Sequence, residues 1–106
     1  MVVNVSLPNG QVMSVESKAG QSVMAALRDG GVPIRAECGG AMACATCHIH
    51  ILQEWLDRVG PPGDEEADLL DDSDYATAAS RLACQIDCVA PLDGLNVALQ
   101  LDALED

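Results

Sequence analysis

The sequence predicts an α+β fold, because strand-like alternation occupies both ends of the chain while short helical segments lie between them. Val3, Val5 and Leu7 recur at every second position near the N-terminus, as do Leu95, Val97, Leu99 and Leu101 near the C-terminus. Between them "SVMAALRD" and "DEEADLLDD" read as short helices. At 106 residues the chain is expected to form one domain spanning 1–106, since that length supports a single modest core.

Taken in order, residues 2–7 and 11–16 flank Pro8, Asn9 and Gly10 and read as a β-hairpin closed at Asn9-Gly10. Ser22 is placed to cap a helix whose Val23, Ala26 and Leu27 share one face, with Gly30 or Gly31 as its stop. Residues 35–47 then lose all periodicity and carry little bulk, so a loop is expected there. "HIHILQ" resumes strand alternation, "EWLDRV" suggests one helical turn, and "GPPG" breaks it. The second helix, "DEEADLLDD", has Asp64, Glu65 and Glu66 in its first turn, where the helix dipole favours anions. "RLACQIDC" could form a short strand, and "LNVALQL" alternates as the last one.

Charge narrows the range of functions. Residues 1–53 balance Glu16, Asp29 and Glu37 against Lys18, Arg28 and Arg35, so the whole net charge of −12 falls in residues 54–106. Such a surface repels nucleic acid and anionic membranes, which are bound through Lys and Arg, and attracts a basic protein partner. No apolar run approaches the length that spans a bilayer, and no basic leader precedes an apolar segment, so a reducing cytoplasm is the expected setting. In that setting clustered cysteines are metal ligands more often than a disulfide framework.

The cysteines carry the chemistry. Cys38, Cys44 and Cys47 are spaced C-x5-C-x2-C, and 36 residues separate Cys47 from Cys84. Three thiols from one loop with a fourth from far along the chain is a pattern typical of an iron–sulfur cluster held by four thiolates. An anionic cluster needs backbone N–H groups close to its sulfurs. Gly39, Gly40, Ala41, Ala43 and Ala45 let the main chain approach, and Thr46 can add a hydroxyl donor. Two alternatives stay open on spacing alone: a structural zinc site, although only Cys44/Cys47 has the C-x2-C form, and a thioredoxin-like redox pair, which would leave Cys38 and Cys84 idle. Rieske ligation lacks its Cys-x-His pair, because Gly40 stands two residues after Cys38.

"CGGAMACATCH" with "RLACQI" downstream resembles the adrenodoxin/putidaredoxin-type 2Fe-2S ferredoxins of bacteria. The resemblance extends over nearly the whole chain, through "WLDR" before the Pro-rich turn and the acidic "DEEADLLD"; plant-type ferredoxins differ in using C-x4-C-x2-C. It implies a β-grasp (ubiquitin-like) fold with a cluster-binding loop at one end of the sheet. It implies one 2Fe-2S cluster on Cys38, Cys44, Cys47 and Cys84, the first two holding the outer iron and the last two the inner one. The activity implied is that of a one-electron carrier, not an enzyme. Such a carrier takes electrons from a flavin-containing, NAD(P)H-dependent ferredoxin reductase and passes them to an acceptor such as a cytochrome P-450 monooxygenase; service in iron–sulfur cluster assembly is the alternative. A monomer is expected.

Three further groups of residues have expected roles. The resemblance gives His48 a hydrogen-bonding role between the cluster loop and the acidic region, whereas His50 reads as a solvated strand residue. The acidic run from 64 to 74 matches the family's partner-binding helix, which makes Asp64, Glu65, Asp68, Asp71 and Asp72 the candidate docking residues. Asp68 and Asp71 lie at i and i+3 on one face, and Leu69 and Leu70 turn inward. Cys88 reads as a small buried apolar side chain, and Trp55 as a core residue with a partial surface role left open.

Overall fold

The computed structural model describes residues 1–18, 20–35, 47–71 and 73–103, with Asp102 described by its backbone alone. Among the described residues five strands form one sheet: β1 (Val2–Ser6), β2 (Val12–Glu16), β3 (His48–Ile51), β4 (Ser80–Leu82) and β5 (Leu95–Leu99), in the spatial order β2-β1-β5-β3-β4. β1 and β5 run parallel, and every other neighbouring pair is antiparallel. The parallel pair joins the two alternating ends of the chain. Val3 lies beside Leu95 and Val5 beside Val97, and all four are fully buried (0%) because the alternation puts them on the same sheet face.

Helix α1 (Val23–Asp29) packs on β1 and β2 through Val23, Met24, Ala26 and Leu27. Ser22 caps it, its Oγ accepting the Ala25 N–H at 3.1 Å. At the other end a Cβ on Gly30 would stand 2.4 Å from Val15 Cγ1, so the absence of a side chain lets the helix end press against β2. Helices α2 (Leu56–Val59) and α3 (Asp64–Asp71) follow β3, with a 3₁₀ turn at Gln53–Trp55 opening into α2. The buried apolar residues form one contiguous cluster against which Trp55, Leu56, Val59 and Leu69 pack partly buried.

Three local expectations are corrected. The hairpin closes through a three-residue loop and not through Asn9-Gly10 alone: Gly10 N–H donates to Leu7 O at 3.0 Å, Leu7 N–H donates to Gln11 O at 2.7 Å, and Gly10 takes φ 91°. Pro8 presets the first turn position and the glycine accepts the left-handed backbone that returns the chain to register. The last strand stops at Leu99, and Leu101 lies in a 3₁₀ turn, 53% exposed. β3 begins at His48, whose carbonyl takes the Gln100 N–H at 3.2 Å, so among the described residues β5 has no partner strand beyond that point. "RLACQIDC" is a strand only through Leu82, after which Ala83–Gln85 form a 3₁₀ turn, so Cys84 and Cys88 do not share a strand face.

Candidate metal centre

The β3–β4 ladder sets the position of two of the cysteines. His48 pairs with Leu82, and Ala83 N–H donates to Cys47 O at 2.9 Å, one step beyond the ladder. The chain then turns tightly, and the Cys84 thiol comes within hydrogen-bonding reach of the Cys47 thiol. The turn is held from its far side as well. Ile86 O accepts Val23 N–H at 2.8 Å at the start of α1, and Cys88 N–H donates to Gln21 O at 2.9 Å. Two residues distant in sequence are thereby fixed side by side by backbone bonds that involve neither side chain.

The electrostatics favour the thiolate at Cys84. The Cys47 thiol, donating to Cys84, lowers the Cys84 pKa to about 6; burial opposes this, the Gln85 amide adds a second donor, and the Glu66 carboxylate opposes. Gln85 Nε2 lies 3.5 Å from Cys84 Sγ. Cys47 is buried and Cys84 half-buried, so one sulfur is sheltered and the other lies nearer solvent. Two cysteine sulfurs brought together at the end of one ladder are the soft donor chemistry that a thiolate-ligated iron–sulfur cluster requires, and the two residues fit it. Cys38, Cys44, Gly39, Gly40, Ala41, Ala43, Ala45 and Thr46 lie outside the described residues. Cys88, 6% exposed, is part of the apolar cluster.

His48 follows Cys47 and is fully buried (0%). Its Nε2 hydrogen-bonds Ser80 Oγ on β4 at 2.7 Å, and its Nδ1 lies 3.4 Å from Ser73 Oγ, just after α3. The ring therefore bridges the strand that follows Cys47 to the segment that follows the acidic helix. His50 is not simply solvated. It is half-buried, its Nε2–H donates to Tyr75 O at 2.8 Å, and its ring meets His48 edge-on with centroids 5.2 Å apart. Trp55 is half-buried rather than a full core residue, with the Arg58 guanidinium 4.9 Å from its ring.

Helix α3 presents two faces. Asp64, Glu65, Asp68 and Asp71 are exposed, Leu69 is half-buried, and Glu66 and Leu70, one turn apart, face inward. Asp72 lies outside the described residues. The acidic run is thus not all surface: Glu66 is 2% exposed and grips Arg81, its Oε2 accepting Nε–H at 2.6 Å and its Oε1 accepting Nη2–H at 3.2 Å. The same carboxylate accepts Leu82 N–H at 2.8 Å, and Arg81 Nη1–H donates to Gly60 O at 2.9 Å. This pair escapes a reading that treats the run as one solvated stretch. Two signals point to it: Arg81 is the one basic residue after Arg58, and Glu66 shares its helix face with Leu70.

Comparison with known proteins matches residues 6–89 to the family described as the 2Fe-2S iron-sulfur cluster binding domain. The chain is 48% identical over 86 residues to ferredoxin CarAc of a Sphingomonas species, covering 80% of this chain and 79% of that protein. A ferredoxin from Rhodopseudomonas palustris HaA2 superposes with a TM-score of 0.92 at 35% identity, covering 97% of this chain and 99% of the other. A chain of the covalent putidaredoxin reductase–putidaredoxin complex gives a TM-score of 0.87 at 30% identity, covering 93% of this chain and 97% of that one.

Proposed function

Since the chain belongs to the putidaredoxin-type 2Fe-2S ferredoxins, β-grasp electron carriers that bind a single cluster and are not enzymes, we propose that Cys38, Cys44, Cys47 and Cys84 hold that cluster and that the exposed face of α3 docks the electron donor and acceptor. The observation that carries the ligand reading is the meeting of the Cys47 and Cys84 sulfurs across a turn pinned by the Ala83 N–H to Cys47 O bond at 2.9 Å. When bound, the cluster supplies a one-electron couple. The protein's own contribution is to bind and position. The β3–β4 ladder fixes two sulfurs, His48 ties that ladder to the end of α3, and Glu66–Arg81 fixes α3 on β4.

The donor we propose is a flavin-containing, NAD(P)H-dependent ferredoxin reductase, and the acceptor a cytochrome P-450 monooxygenase. The reductase reading is supported by the likeness to a putidaredoxin-complex chain and by the exposed Asp64, Glu65, Asp68 and Asp71, which suit a basic partner. Donor and acceptor using one face must alternate on it, which suits fast, weak, charge-steered complexes. Among the described residues no helix is long and apolar enough to cross a membrane, and we place the protein in the cytoplasm.

An absorption spectrum of the purified protein before and after dithionite tests the reading. Red-brown colour that bleaches on reduction supports it; a featureless visible spectrum with stoichiometric zinc overturns it. Reduction by NADPH or NADH through a ferredoxin reductase, weakening as salt rises, tests the docking face.

A further inference from the structure

The Cys84 sulfur receives side-chain hydrogen bonds from Cys47 and Gln85. On the reading above Cys47 is itself a thiolate ligand and has no proton left to donate, so Gln85 is the remaining side-chain donor of the two. Its position is not left to chance. Gln85 closes the 3₁₀ turn Ala83–Gln85, which is pinned at Ala83 N–H to Cys47 O (2.9 Å) and, through Ile86, to the start of α1. Gln85 is exposed while Cys84 is half-buried.

From this geometry we infer that Gln85 is a positioning residue for electron transfer: its Nε2–H, donated to Cys84 Sγ, makes the site easier to reduce. The inference rests on Cys84 being a cluster ligand. Reduction places extra negative charge on the ligand sulfurs, and an N–H directed at one of them stabilises the reduced form more than the oxidised form, which raises the potential. The Glu66 carboxylate works in the opposite direction, its negative charge partly neutralised by Arg81. Gln85 also lines an open groove of about 440 Å³ with Asp64 and Glu65 at the start of α3. A partner docked on those carboxylates covers the amide and keeps water from competing for the sulfur.

Spectroelectrochemical titration of the purified holoprotein, with Gln85→Leu and Gln85→Glu beside the wild type, tests this. Both variants are expected to retain the visible spectrum and to shift the midpoint to a more negative potential, Gln85→Glu further because it adds a charge as well as removing the donor. Resonance Raman should show a change in the iron–thiolate stretching region of both. Midpoints equal to wild type in both variants overturn the inference. Cys84→Ser, run in parallel, separates the two levels: if it keeps the wild-type spectrum, the ligand reading fails and the inference with it; if it loses the spectrum while the Gln85 variants keep the wild-type potential, only the inference fails.

Discussion

Glu66 on α3 and Arg81 on β4 form a buried, two-bond ion pair, Oε2 to Nε–H at 2.6 Å and Oε1 to Nη2–H at 3.2 Å, with both side chains under 10% exposed. The pair fastens the acidic helix to the strand that leads into Cys84. Removing one partner leaves a buried charge uncompensated, which costs about 3–5 kcal/mol. Glu66→Ala should therefore lower the denaturation midpoint sharply in urea or heat. Glu66→Gln should cost less, because its amide oxygen can still accept the Leu82 N–H.

His48 is buried with its ring nitrogens on Ser80 and Ser73. His48→Phe keeps the ring's bulk but leaves those hydroxyls without the imidazole, a loss of about 1–3 kcal/mol. The expected outcome is a lower melting temperature with the cluster spectrum retained in the folded protein. An unchanged melting temperature would show that the bridge contributes nothing to stability.

The cysteine variants should separate into two groups. Cys38→Ser, Cys44→Ser, Cys47→Ser and Cys84→Ser are each expected to abolish the visible absorption of the wild-type protein. Cys88→Ser is expected to keep it, because Cys88 sits among apolar residues after the turn and on no shared strand face with Cys84. A colourless Cys88→Ser protein would reassign the fourth ligand.

Asp68 and Asp71 are exposed and three residues apart on α3. Asp68→Asn combined with Asp71→Asn should slow association with a ferredoxin reductase on the order of tenfold at low ionic strength. The difference from wild type should shrink as salt rises. Surface plasmon resonance across a salt series measures both, and equal association rates at low salt would remove these residues from the docking face.

Gly30 needs no unusual backbone, but its Cα faces Val15, with an added Cβ at 2.4 Å from Cγ1 and 2.8 Å from Cβ of that residue. Val15 is short and β-branched, so it cannot swing aside as a long side chain could. Gly30→Ala should cost about 1–3 kcal/mol through overpacking, read as a shifted denaturation midpoint.

Several elements could be read from local pattern. The alternation of Val3 and Val5 and of Leu95 and Val97 specified the buried faces, since period two maps directly onto the two sides of a strand. Ser22 was identifiable as a helix cap because the cap is a contact between residues three apart. Leu101 departs from its pattern for an equally physical reason: it continues the alternation in sequence, but a strand persists only where a neighbour supplies hydrogen bonds, and β3 begins at His48. Nothing in "HIHI" reports that the Tyr75 carbonyl lies 2.8 Å from His50 Nε2, 25 residues along the chain.

By itself the sequence determined the chemistry available: cysteine spacing, small residues around it, and a concentration of negative charge downstream, all properties of residue identity and order. Tertiary structure decided which of those residues meet. Glu66 and Asp68 are both acids on one short helix, yet one is buried against Arg81, 15 positions away, and the other faces solvent. The difference arises from where β4 passes the helix. Likewise Gln85 acquires its contact with the Cys84 sulfur only because the chain leaves β4 in a tight turn anchored on Cys47 and α1. Local periodicity encodes faces; the register between elements distant in sequence, which no local pattern contains, assigns partners to them.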